Sequence, residues 1–381
     1  GLRSILVKPG FELKVLVGSV GKSFVKKVID HQFKTGINLL PRVNTTTGTD
    51  PEMFVEVGDT VLPAFEFLGG KKEGKNQTED GGKLYWDGFQ AEFDVRAQGC
   101  LEGVCRSILA GLRSLSTAAK KVNSKAKLSY KTVIQAPAEV LAKAKQEHVE
   151  LGCMPSYNVY GHEGNIVEDA RQLVTRSAGG HIHLGLNRNP SEKQTPESVA
   201  NIVKAMDAIL GVCCVAMFAG YDSPERRRFY GLAGEFRLPP HGLEYRTLSN
   251  AWLMHPLVMH MVFDLARKSA SFGANGLLSR WKATEAETIK CINTCNVELA
   301  RKIMMKNKET LIAIFKSTYP GQTNEVIEAV FNGFYNGVDS FIKNPKDIEA
   351  NWQINSDGNR VAVDKTVRGT TSVLVKGQKV A

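Results

Sequence analysis

Five short segments, far apart in the chain, share one pattern of a polar residue, a middle residue and a second polar residue. They are Asp50-Pro51-Glu52, Glu92-Phe93-Asp94, His181-Ile182-His183, Glu235-Phe236-Arg237 and Glu244-Tyr245-Arg246. Successive side chains on a strand point to opposite faces, so in each triplet the outer groups share a side and the middle residue takes the other. Laid in one sheet, such strands gather acids, imidazoles and guanidiniums on a single face around a polar cleft. That face is expensive to desolvate unless it holds metal ions and phosphate. The histidine triplet sits within residues 177–185, SAGGHIHLG, where a glycine pair lets something bulky approach the backbone. Pro239-Pro240-His241-Gly242 separates the last two triplets and is turn chemistry, so Phe236 and Tyr245 are expected as neighbours in an antiparallel pair.

The 381 residues, 43% apolar and 23% charged, are ordinary globular usage and can bury a sizeable core. Apolar runs such as 209–219 are too short to span a bilayer and no signal-peptide pattern opens the sequence, so the expectation is a soluble, cytoplasmic protein without a membrane partner. Seven cysteines, at no zinc-ribbon spacing, read as reduced core thiols. Cys291 and Cys295 lie one helical turn apart without further ligands, which favours packing. The net charge of +10 is unevenly placed: residues 1–45 carry eight Lys/Arg against two Asp/Glu, and residues 351–381 carry five against two. This divides the chain into a basic extension (1–45), a body (46–345) and a basic tail (346–381). The ends suit an acidic or anionic partner, nucleic acid included, as well as plain solubility.

Along the chain, Gly21-Lys22-Ser23 ends like a P-loop, but Leu16 stands where its first glycine belongs, so the motif is rejected. The body opens at Gly48 and runs through a hairpin over 53–57 and 61–67 to the basic exit Gly69-Gly70-Lys71-Lys72. Residues 84–95 read as one strand carrying Asp87 and Glu92. The stripe at 101, 104, 105, 108, 109, 112 and 115 marks a core helix over 101–122. A strand over 128–135 and a helix over 138–149 follow, and His162 reads as a loop residue. Thr195-Pro196-Glu197 starts a helix that runs to 219 and is apolar enough to be buried. Arg226-Arg227-Arg228 adjoins the two Glu/Arg triplets, so at least one of these arginines is a candidate phosphate ligand. Helical patterns over 255–272, 283–307, 309–317 and 324–342 complete the body, and 361–375 alternates as an extra strand or a loose tail.

Carboxylates with one or two imidazoles suit hard divalent cations such as Mg²⁺ or Mn²⁺, and nearby arginines and lysines suit a polyphosphate, so the combination favours ATP plus metal. In that setting Gly48–Glu52 as a unit, Gly69-Gly70-Lys71, Trp86-Asp87-Gly88 with Glu92-Phe93, residues 177–185, and residues 230–250 with Trp252 together resemble the phage-type COOH·NH2 ligases, type 2, over roughly 46–260. These amidoligases belong to the glutamine synthetase and glutamate–cysteine ligase superfamily. The resemblance implies an α+β fold: a glutamine synthetase-like antiparallel β-sheet, packed by helices, with the active site on its concave face. It further implies that Glu52, Glu92, His181 and Glu244 hold magnesium, and that Arg237 and Arg246, with Arg226 or Arg228, steady the ATP phosphates. By the same route His183 reaches a phosphate and Lys71 or Lys72 closes over the nucleotide. Asp50 departs from the superfamily's usual Glu-x-Glu and is the candidate for taking the proton from the attacking ammonium.

The implied activity is an ATP-dependent carboxylate–amine ligase working through an acyl phosphate, on a carboxylate and an amine that include peptides or proteins of a phage particle or its host. A rival reading keeps the fold as a structural, virion-associated module that assembles through its basic ends. A third, a metal-dependent hydrolase built from the same acids, predicts activity without nucleotide.

Overall fold

The computed structural model describes residues 46–70, 76–149, 156–161, 174–185, 196–228 and 230–354. The basic extension, Lys71, Lys72, His162 and the alternating stretch 361–375 lie outside them.

Two antiparallel sheets carry the polar triplets. The first has six strands in the order Tyr157–Asn158, Glu235–Arg237, Gly242–Tyr245, Ile182–Gly185, Thr46–Thr49 and Val95–Gln98. The second runs Glu52–Met53, Gln90–Phe93, Lys83–Asp87, Asn76–Gln77. The chain crosses from the first sheet to the second at Asp50-Pro51 and back at Asp94, so the first two triplets straddle the junction between the sheets. Mixed helices and antiparallel strands make this an α+β protein, as expected.

Alternation does what the triplets require. Ile182, Leu184, Leu243 and Tyr245 are fully buried on one face of the six-stranded sheet, and their polar neighbours take the other. Phe236 does pair with Tyr245. Helix Leu101–Val122 forms over the residues its apolar stripe marks and buries that stripe in the core. The helical run Pro196–Met217 is long and apolar enough to cross a membrane, but its most apolar stretch, with a mean hydropathy of 1.8, is 83% buried within the protein. Its middle, Met206–Gly211, is a π-helical segment. Helices Pro256–Ala274 and Asn324–Asn336 pack around it in the same core.

Several expected elements are divided. The strand over 84–95 is a hairpin of Lys83–Asp87 with Gln90–Phe93, because Gly88 turns the chain at φ 68°. The helix over 283–307 breaks at Cys295, φ 47°, into Glu285–Asn293 and Val297–Lys306, each with its own side-chain cap at Thr284 and Asn296. The strand over 128–135 and the helix over 138–149 likewise fall into two short pieces each. The packed body also extends past residue 345. Lys120 pairs with Glu349 at 2.7 Å, and the wholly buried Trp352 donates its indole N–H to the Leu253 carbonyl at 2.5 Å, so the chain stays folded to Ile354. The described cysteines are free thiols, and Cys105, Cys213, Cys214 and Cys291 are buried as core residues, whereas Cys100 is exposed and Cys295 half-buried, which corrects the expectation that all are core thiols.

Candidate metal and phosphate site

The register of the strands assembles the site. His183 lies opposite Glu244, Arg237 lies opposite Glu244 from the other side, and Glu52 lies opposite Glu92 in the second sheet. Two clusters result. Asp50, His181 and Glu244 each offer a ligand atom within 4.8 Å of the others, and so do Glu52, Asp87 and Glu92. The triplet Asp50-Pro51-Glu52 therefore contributes one carboxylate to each cluster.

In the first cluster His181 Nδ1 is 3.4 Å from Asp50 Oδ1 and 3.6 Å from Glu244 Oε1. The same Glu244 oxygen accepts a hydrogen bond from Arg246 Nη1 and lies 3.7 Å from Arg237 Nη1. Asp50 is also held by His183, whose Nε2 is 3.1 Å away. The other ring nitrogen of His183 is 3.1 Å from Nε2 of His241, with the two imidazoles stacked. His181 Nε2, buried, has no hydrogen-bond partner among the described residues. It points at Gly179, where a Cβ would come within 2.6 Å of it. At Gly180 a Cβ would lie 2.3 Å from both the Ser249 carbonyl and Trp252 Nε1, so the glycine pair is there for close approach, as its position suggested.

In the second cluster Glu52 Oε2 accepts from the Gly179 amide at 2.6 Å and from the Tyr230 hydroxyl at 2.7 Å, and the Tyr85 hydroxyl is 2.7 Å from Glu92 Oε1 and 2.9 Å from Asp94 Oδ1. The Arg226 and Arg246 guanidiniums lie 5.0 and 5.9 Å from the Tyr230 ring centroid, so the ring whose hydroxyl holds Glu52 also packs against both arginines.

Burial opposes ionisation of Asp50, Glu244, His181 and His183, and the neighbours overcome it at all but His181. Burial alone would raise the Asp50 carboxyl, yet the imidazoles of His183 and His181 hold it well below the usual carboxylate range. Glu244 is likewise lowered against its burial, by His181 and Arg246. His181 is pushed down by burial and by Arg246, which keeps it neutral and so suited to bind a cation. His183 is raised, because the adjacent Asp50 outweighs burial.

The structure thus brings together Asp50, Glu52, Glu92, His181, His183, Arg237, Glu244 and Arg246. It sets Arg226 apart. That guanidinium is fully buried and spends its donors on main-chain carbonyls: Nε on Ala178 at 3.3 Å, Nη1 on Thr247 at 2.8 Å, and Nη2 on Leu248 at 2.5 Å and Arg246 at 3.5 Å. It ties the histidine segment to the strand of Glu244 rather than facing a ligand, which corrects the expectation of a phosphate contact. Arg228 lies on the exposed side of the same short helix, Arg226–Arg228. Asp87 and His241 were not singled out as ligands from sequence. The Asp87-Gly88 turn signal marks the hairpin that delivers the first, and the Pro-Pro-His-Gly turn delivers the second beside His183.

Residues 167–354 match the model of the family described as Phage phiEco32-like COOH.NH2 ligase-type 2, which bears out the family resemblance through the histidine segment and residues 230–252, while the motifs at 48–52, 69–71 and 86–93 lie outside the match. No curated protein matches the chain in sequence. Among solved structures, a bifunctional glutathione synthetase from Pasteurella multocida is similar at 10% identity and a TM-score of 0.32. The alignment covers 81% of this chain and 57% of that one, so the chain spans a little over half of that enzyme's length.

Proposed function

With the ligase-family match over 167–354 as premise, we propose that this protein is an ATP- and divalent-metal-dependent carboxylate–amine ligase whose six-stranded sheet is of the glutamine synthetase type, with the Asp50/His181/Glu244 cluster on its concave face and the Glu52/Asp87/Glu92 cluster on the adjoining four-stranded sheet. The observation that carries the reading is the pair of clusters, Asp50/His181/Glu244 and Glu52/Asp87/Glu92, with Arg237 and Arg246 beside Glu244. The donor sets fit hard dications: carboxylate oxygens dominate, one neutral imidazole joins them, and three carboxylates within 4.8 Å repel one another until a cation enters. Asp50, His181 and Glu244 would hold one ion and Glu52, Asp87 and Glu92 another. Bound there, Mg²⁺ or Mn²⁺ supplies Lewis acidity and neutralises phosphate charge.

The chain's own groups account for the rest. Arg246 and Arg237 present guanidinium donors where the γ-phosphoryl oxygens gain charge as a substrate carboxylate oxygen attacks phosphorus and ADP departs. An amine then attacks the acyl carbon, the amide C–N bond forms, phosphate leaves with the C–O pair, and the proton lost from nitrogen leaves with that phosphate. Asp50, read from sequence as the acceptor of the ammonium proton, is held so far below the carboxylate range that it is a poor base and a good ligand. Tyr230 and Tyr85 fix the carboxylates of Glu52 and Glu92 by donating to them. A phage setting, with peptide or protein substrates, rests on the family's name alone and belongs to the same proposal.

ADP release measured with Mg²⁺ against panels of carboxylates and amines tests this. Release that requires both partners and stops with chelator is the expected result. Hydrolytic activity without nucleotide, or no release with any pair from protein that binds no Mn²⁺, would refute it.

A further inference from the structure

The Glu244/Arg246 strand is gripped from behind. Asp207, fully buried, lies in the π-helical segment Met206–Gly211 of the central helix. Its Oδ1 accepts from the Tyr245 hydroxyl at 2.7 Å and lies 3.3 Å from Thr247 Oγ1. The Tyr160 hydroxyl and the Gly234 amide lie near the same carboxyl group and lower its proton affinity, while its buried Oδ2 has no hydrogen-bond partner among the described residues. Residues 245 and 247 alternate with 244 and 246, so the two residues held by Asp207 flank, on the opposite face, the two that reach the site. A π segment inserts one extra residue into a helical turn and re-aims the side chains beyond it, and such insertions recur at functional sites. Here Gly211, at the end of the segment, leaves room for the Tyr245 hydroxyl, which would stand 3.1 Å from a Cβ at that position. A buried carboxyl in the apolar run 205–219 costs stability, and packing alone gives no reason to keep it.

We propose that Asp207 is a positioning residue: through Tyr245 and Thr247 it sets the height and register of the strand that delivers Glu244 and Arg246 to the site. The inference rests on reading the Asp50/His181/Glu244 cluster as a metal site. It predicts that removing a hydroxyl behind the sheet changes metal binding in front of it.

The test uses Tyr245→Phe and Thr247→Val, both shape-conserving, in the full chain. Mn²⁺ alone is titrated and followed by electron paramagnetic resonance, with thermal unfolding in parallel. Tyr245→Phe is expected to weaken binding at the Asp50/His181/Glu244 cluster by about 10-fold, the low end for loss of a group that orients a ligand, and Thr247→Val by less. Trp352→Phe, which loses the buried indole contact to Leu253, serves as the control. It should lower the melting temperature without moving Mn²⁺ affinity. If Tyr245→Phe does not fold, Thr247→Val carries the same comparison. Parent and hydroxyl variants binding Mn²⁺ equally well, with only thermal stability changed, would overturn the positioning role and leave the ligase reading standing. A parent that binds no Mn²⁺ would overturn both.

Discussion

Asp207 also makes a quantitative prediction about stability. Burial pushes its carboxyl up to about 7 from an ordinary value of 3.8, and the bonds from Tyr245 and Thr247 to Oδ1 recover only part of the cost, with Oδ2 left without a partner among the described residues. Among the described residues, the groups facing it from the neighbouring elements add no ion pair. Lys204 sits over the Tyr160 ring at 5.4 Å but pairs with Glu285 at 2.7 Å, and Cys214 faces Tyr245 as a thiol whose own ionisation is pushed up by burial. The folded state holds the Asp207 proton to a higher pH than the unfolded chain does, so its contribution is fully present below about pH 4 and is lost as pH rises through about 7. Each unit of difference is worth 1.36 kcal/mol, so the full swing is about 4 kcal/mol, and about 3 kcal/mol of it falls between pH 5 and pH 8.

Asp207→Asn cannot ionise and should remove that dependence. Urea unfolding of parent and variant at pH 5 and pH 8, monitored by tryptophan fluorescence, should show the variant gaining on the parent by about 3 kcal/mol across the interval, whatever its stability at the acid end. A difference between the two proteins that stays constant with pH would show that Asp207 titrates in the ordinary range, and its buried, ion-pair-free environment would be refuted.

The other predictions concern the site itself. Glu244→Gln and Asp87→Asn should each lower Mn²⁺ stoichiometry by one ion and abolish ADP release while circular dichroism stays unchanged; full stoichiometry in Asp87→Asn would remove it from the second cluster. Arg226→Met strips donors from the carbonyls of Ala178, Thr247 and Leu248, at about 1–3 kcal/mol each. It should therefore cost several kcal/mol in unfolding measurements, and a stable variant with only a raised KM for ATP would restore Arg226 to the phosphate site. Gly179→Ala should displace His181 and eliminate Mn²⁺ binding at the first cluster with a modest loss of melting temperature, whereas Gly180→Ala, with a Cβ 2.3 Å from the Ser249 carbonyl, should fail to accumulate as folded protein. A soluble Gly180→Ala with the parent's melting temperature would contradict the close approach.

How much of the site is legible in the sequence depends on the range over which each signal acts. Period-two triplets report which face a side chain takes, so Glu52, Glu92, His181, Glu244 and Arg246 could be gathered onto one surface before any strand was paired. Alternation is silent about partners across the sheet. It could not say that Asp50 and Glu52, two residues apart, part company into different clusters where the chain passes from one sheet to the other. Nor does a run of arginines declare which guanidinium meets solvent: Arg226 and Arg228 share a short helix, and only tertiary packing buries the first among carbonyls. Asp207 is the extreme case. In the sequence it is a lone acid in an apolar run, which would be taken as a flaw in a core helix. Its meaning depends on a strand nearly forty residues later, since Tyr245 turns its hydroxyl inward to meet it. Short-range pattern thus identifies the groups that face a ligand, while the groups that hold them there surface only once the far side of the sheet is packed. A sequence reading of a site built on strands should for that reason be completed by asking which residues touch the alternate positions from behind.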